Sequence, residues 1–512
     1  MRNRRWWGMA VVTVAVARAC SSTPATPAPT AVPPASQAIK TTTPVTPPPA
    51  VATATVAPAT AVAPTTGPSA APAVPTVPTG YTELDTALTP GSDGTMPYAG
   101  KTVDIQVQWT GGELTNFTNS LADFEKATGI TVNVDSVPSS HETVLKSRIE
   151  GGSPPDIAQL AQPNGILAYA AENKVIDLAT FMPVDKLKAE HPSLAFLTEG
   201  SNIWGLPYKQ DVKSLIWYPV KAFAAKGYTV PTTWADLIKL SDQIVADGSA
   251  PWCVSAGGPG DATGWQLTDW VEEVVLKSGG LDLYNQWINH TVKFDDPRIK
   301  NILDNYLGKI LFTPGYVYNG YQSVVAQDQK TTMDPMFNQD LSAPQCWMQK
   351  IPTWYGPDFF PDQRVSGQPS KYTIGADGDI GIMPFPAVDP TQNNVEVSGD
   401  SMFMMVDKPE IRATMEFLAT PQGLEAWILA GSAISSNNTT PQDWYAGSYK
   451  LQVASQVFNG ASGAGFDASD IMPPAVGTGS FWSDMDSWVN GGGQNPTTDA
   501  TLQLIDTSWP AQ

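Results

Sequence analysis

The chain reads as an α/β protein built on a parallel sheet with helices on both faces, and three observations predict this. Strand and helix patterns alternate strand, helix, strand, helix, strand between Val103 and Leu160, an order that favours parallel strands joined by crossover helices. The body beyond about Met96 is rich in tryptophan and periodic apolar segments and is long enough for one large or two medium lobes. Beyond the first twenty residues, no run reaches membrane-spanning length.

The elements follow from local pattern. "VDIQVQW", Val103 to Trp109, alternates apolar and polar residues as a strand does. "ELTNFTNSLADFEKATG" sets Leu114, Phe117, Leu121 and Phe124 at helical spacing and stops at Gly129. "ITVNV" is a second strand, "ETVLKSRIEGG" a helix closed by glycines, and "PPDIAQL" a strand preceded by prolines. In open sheets of this kind ligands bind beyond the carboxyl ends of the strands. Those ends are "WTGGE" and "AQPNG", which makes Trp109, Thr110, Glu113, Gln162 and Asn164 candidates for one rim of a site. Ordinary polar loops are the alternative.

The first twenty residues set Arg2, Arg4 and Arg5 before the apolar run "WWGMAVVTVAVA" and end at Cys20, the order of an export signal. The segment resembles a bacterial lipoprotein signal, which implies lipidation of Cys20 and a membrane anchor. Ala17 stands where that motif wants a Leu-like residue, and Arg18 where it wants a small one. From Ser21 to about Gly80 the chain is Ala, Pro, Thr and Val with Lys40 as its only charge, an extended stalk. The linker is taken to span 21–98 and the folded domain 99–512.

Four of the 29 basic residues lie in that leader, leaving 25 against 49 acidic residues after Cys20. Such a surface repels nucleic acid and anionic lipid. Cys253 and Cys346 remain for the folded part, and in an exported protein a disulfide is the natural reading, two buried free thiols being the alternative. His141, His191 and His290 are too scattered to suggest a metal site, and no cofactor motif is present. Lipase-type elbows, zinc helices and P-loops are absent as well. A glycosidase needs only two carboxylates, so a hydrolase stays open as an alternative, as does a surface sensor or adhesin.

"TGITVNVDSVPSSHETVLKSRIEGGSPPDIAQL", "NIWGLPYKQDVKSLIWYPVKAFAAKGYTVPTTWADL" and "EIRATMEFLATPQGLEAWI" occur in that order. With this order and spacing the chain resembles the extracellular solute-binding proteins, family 1, which serve ABC importers for sugars and include the maltodextrin-binding type. The resemblance covers Lys101 to Gln512. It implies a two-lobed periplasmic-binding-protein-like fold of type II, its lobes joined by crossover strands and closing over a carbohydrate. It further implies an exported, monomeric protein with permease subunits as partners and no catalysis. By the same analogy the first lobe takes about 101–211 and 385–440, and the second about 213–384 and 441–512.

If "PYKQDVKSLIWY" is the first crossover, strand alternation points Lys209, Asp211 and Lys213 to one face, where they can orient a polar solute. A charged, solvated edge is the alternative. A helix begun near Gly264 brings Trp265 and Asp269 to one face, an aromatic plate beside a carboxylate, while Trp270 faces the core. Bridging Cys253 to Cys346 would draw Trp347 and Gln349 toward that wall. Asp400, in "VSGDSMFMMV", is a candidate because the family's corresponding Gly-Asp lies near solute.

Overall fold

The computed structural model describes residues 76–258, 263–366 and 368–510. The expected export signal, Cys20 and the stalk up to residue 75 lie outside the described residues. Between 76 and 98, where linker was expected, Thr82–Ala87 forms helix α1. Tyr81, Leu84 and Ala87 recur at the spacing of a helical stripe, are buried, and join the core of the first lobe. The Leu84 amide donates to Glu416 Oε2 at 2.7 Å, which ties the stretch to the folded body.

The alternating segment folds in the predicted order: β1 (Thr102–Val107), α2 (Gly111–Thr128), β2 (Thr131–Ser136), α3 (His141–Glu150), β3 (Ile157–Leu160) and α4 (Pro163–Ala171). β1 pairs in parallel with both β2 and β3. The chain then enters β4 (Leu206–Val212), leaves through Lys213–Ser214 and continues as β5 (Leu215–Pro219) in a different sheet. That second sheet adds β6 (Ala250–Trp252), β7 (Cys346–Lys350) and β8 (Ile380–Pro384) in the order β8-β5-β7-β6.

The chain returns as β9 (Asn394–Met404), which lies antiparallel between β4 and β3. β10 (Ile434–Ser435) flanks β4, and β11 (Gly463–Phe466) pairs with the start of β9. The first sheet therefore runs β10-β4-β9-β3-β1-β2. β4 has a neighbour on each side, so its charges are not a solvated edge.

The two crossings are bonded to one another. The Lys213 amide donates to Glu396 O at 2.9 Å and the Phe385 amide to Ser214 O at 2.8 Å, while the Glu396 amide donates to Ser214 Oγ at 2.8 Å. Each lobe has its own apolar core. Phe117, Leu121 and Phe124, read as a helical stripe, are buried in the first. Trp270 is buried in the second, as its face of the helix predicts.

Cys253 and Cys346 form a disulfide, both buried beside β6 and β7. Closing a loop with a separation of 93 residues removes unfolded-state entropy worth about 4 to 5 kcal/mol in the chain-entropy model. Reduction should therefore lower the melting temperature by several degrees in a thermal scan. An unchanged melt after confirmed reduction would contradict that role.

Candidate functional site

Between the two sheets lies a cavity of about 260 Å³. Of the residues singled out from sequence, Trp109, Glu113, Gln162, Lys209, Asp211, Lys213, Trp265 and Asp400 line it. They come from the loop after β1 and the start of α2, the loop after β3, the first crossing, the first turn of the helix Trp265–Ile288, and β9.

Alternation along β4 does put Lys209 and Asp211 on the cavity face, with Lys213 just beyond the strand, but all three are buried and already paired. Lys209 Nζ lies 3.0 Å from Asp211 and 3.1 Å from Asp400. Asp400 also accepts from Gln159 Nε2 at 2.7 Å and Trp109 Nε1 at 3.3 Å, and Asp211 accepts from Thr353 Oγ1 at 2.9 Å. Lys213 Nζ lies 2.8 Å from Asp269 and also bonds Asp467. Burial opposes charge on both ammonium groups, yet their carboxylate partners hold each pKa above the usual lysine value. Both lysines stay charged and neutralised in place.

Carboxylate oxygens of Asp269, Glu396 and Asp467 lie within 4.8 Å of one another, a spacing that could hold a cation. The Lys213 ammonium bonds two of these three and supplies that charge itself.

Other lining groups are uncommitted. Glu113 is buried, and among the described residues no protein group hydrogen-bonds its carboxylate. Burial pushes its pKa up to about 7, with Lys209 and Lys330 opposing the shift. Gln162 Oε1 and Gln329 Oε1 are buried atoms without a partner, and both residues face the cavity. A buried acceptor left unpaired costs about 1 to 3 kcal/mol, which a bound polar solute relieves. Lys330, also on the wall, makes no ion pair among the described residues; its ammonium lies over the Phe359 ring.

The aromatic surface is Trp265 with Trp354, both half-buried with centroids 6.2 Å apart, flanked by Trp482. The Lys213 ammonium sits 5.4 Å from the Trp265 ring centre. Trp109 presents only an edge, since its ring packs against Phe117 and Trp427, each at 4.9 Å.

Five expected residues stand off the cavity. Thr110 is the N-cap of α2, and Asp269 lies behind the wall holding Lys213. Trp347 and Gln349 sit on β7, which is paired on both sides by β5 and β6. The Trp347 ring is consequently packed against Tyr228 and Phe223, and its Nε1 donates to Ser249. Asn164 instead donates to Ile471 O across the cleft rim. Sequence reasoning missed Gln329, Lys330 and Trp354, which lie in turns without a pattern, and Trp482, which opens a helix whose apolar stripe reads as core.

Two measurements probe this division of roles. Removing one partner of a buried ion pair typically costs about 3 to 5 kcal/mol, so Asp400→Ala should lower unliganded stability by that order in denaturant melts. A change near zero would contradict the scaffold role. A carboxyl whose pKa is raised on folding binds its proton more tightly in the native state, so stability falls as pH rises from 4.5 to about 7. Glu113→Gln should flatten that fall, leaving the part due to the other carboxyls that burial raises, among them Glu416 to about 7 and Asp486 to about 6. An identical stability–pH curve for the variant would contradict the assignment.

Comparison with known proteins agrees with this architecture. Residues 111–425 match the family described as bacterial extracellular solute-binding protein. The osmoprotective compounds-binding protein GgtB of Synechocystis sp. is 30% identical over 415 residues, 80% of this chain and 93% of that one. The alpha-glucosides-binding periplasmic protein AglE of Rhizobium meliloti is 30% identical over 441 residues, covering 80% and 90%. The solved structure of a chitin oligosaccharide binding protein superposes with a TM-score of 0.63 at 17% identity, over 80% of this chain and 98% of that one, which shows a shared two-lobed fold. With two interleaved sheets, bonded crossings and an interlobe cavity, this chain belongs to the bacterial extracellular solute-binding protein family.

Proposed function

We propose that the cleft captures an uncharged carbohydrate, of the α-glucoside or compatible-solute type, and hands it to the permease of an ABC importer. The observation that carries this is the pairing of half-buried tryptophan faces with hydrogen-bonding groups the protein leaves unused. Sugars offer C–H faces to Trp265 and Trp354 and hydroxyls to Glu113, Gln162 and Gln329. The printed ligands of the two relatives, osmoprotective compounds and alpha-glucosides, support the same class.

Charge narrows the class further. Among the described residues, seven acidic residues and three lysines line the cavity, and two of those lysines are neutralised internally. A phosphorylated or uronic sugar would meet net repulsion. Export, lipidation of Cys20, tethering on the stalk and action as a monomer complete the proposal. The leader and the Pro-rich composition support export, lipidation and the stalk, and the monomer rests on the family resemblance alone.

A thermal-shift panel of maltose, trehalose, sucrose and glucose 6-phosphate tests the reading. A ligand at about one hundred times its dissociation constant adds roughly 2.7 kcal/mol of stability, a rise of a few degrees. At least one neutral sugar should give that rise and the phosphate ester none. Trp265→Ala should abolish the shift while leaving the unliganded melt in place, because the ring is half-buried. A panel in which only the charged sugar stabilises, or none does, contradicts the proposal.

A further inference from the structure

The two lobes meet at a point that the binding chemistry does not use. A Cβ placed on Gly112 would fall 2.2 Å from both Cγ and Oδ2 of Asp358, so that carboxylate rests directly on the bare backbone of the first turn of α2. Gly112 belongs to the first lobe. Asp358 is assigned to the second: its turn, Pro357–Phe359, follows β7, and Tyr355 and Phe359 are buried in a cluster that joins Trp217 and Ile380 of the second sheet to Val212 and Val395 of the first. The turn is held from behind, where the buried Lys450 ammonium donates to Tyr355 O at 3.0 Å and Gln363 Nε2 donates to Asp358 Oδ1 at 3.3 Å.

The partner surface suits a carboxylate. α2 has 18 residues, and its N-cap, Thr110, makes no side-chain bond to the helix. The amides of its first turn thus lack a cap from their own lobe, and the positive end of the helix dipole attracts an anion. Glycine at 112 leaves the room, and its backbone lies within the helix, outside the left-handed region. Alanine is the better helix former there, so the glycine is explained by the approach of Asp358 and not by the fold of α2.

We propose that Asp358 seated on Gly112 is an interlobe latch that holds the cleft closed. The contact exists only while the lobes are together, and the Asn164–Ile471 bond joins the lobes at a second point. The latch needs no solute, so it biases the closed form before binding, and any solute that favours closure gains from it.

Spin labels on the full chain test this, at Ala122→Cys in α2 and Ala235→Cys in the second lobe, both exposed, with Cys20→Ser for specific labelling. Without added solute, the interlobe distance distribution should contain a short-distance population. Gly112→Ala and Asp358→Ala should each reduce it about five- to tenfold, the order expected for one carboxylate at a partly buried helix N-terminus. The Gly112→Ala, Asp358→Ala double variant should fall no further than Asp358→Ala alone, and all should melt near the parent temperature. Three results would overturn the latch: no short-distance population in the parent, no change on Gly112→Ala, or an equal further loss from Gly112→Ala in the Asp358→Ala background.

Discussion

The rest of the structure depends on one buried cluster, Lys209 held between Asp211 and Asp400. Lys209 and Asp211 stand on the strand that leaves the first lobe, and Asp400 stands on the strand that returns to it. Their bonding pins the outgoing and incoming chains to each other at the wall of the cleft. One residue past the strand, Lys213 repeats the device toward the second lobe through Asp269 and Asp467. Buried ion pairs add little net stability relative to apolar packing, but they are costly to break and demand one geometry. Here that geometry is the relative placement of the cavity walls.

Committing these charges to one another decides what is left for a solute. A carboxylate that already bonds an ammonium, an amide and an indole N–H has little capacity for sugar hydroxyls, whereas Glu113, Gln162 and Gln329 have theirs intact. The burial that raises the Glu113 pKa also strengthens any hydrogen bond it makes, because the surroundings are poorly polarisable. Trp265 connects the two systems: its ring forms the aromatic wall and lies beside the paired Lys213 ammonium.

Much of the fold was legible because its causes are local. The stripe of Leu114, Phe117, Leu121 and Phe124 and the alternation in "VDIQVQW" fix helix and strand without reference to distant residues. Alternation likewise showed Lys209, Asp211 and Lys213 sharing a face. Their saturation was not legible, because the partners come from far along the chain: Thr353 is 142 residues from Asp211, and Asp467 is 254 from Lys213. Trp347 and Trp354 illustrate the same limit. Both are tryptophans near one disulfide, and only the pairing of β7 on both sides sends the first into the core and leaves the second to face the cavity. Helix α1 was hidden by its neighbour, since the Pro-rich stretch masked a short apolar stripe that acquires meaning only when it docks on Glu416.

A crystal structure of the protein soaked with a neutral disaccharide that stabilises it would show which side chains the solute uses. Sugar hydroxyls are expected on Glu113 and Gln162, with a pyranose face on Trp265 or Trp354 and Lys209 still seated between Asp211 and Asp400. A sugar that displaces Asp400 or Asp211 from Lys209 and takes that ammonium for itself would contradict this division of roles.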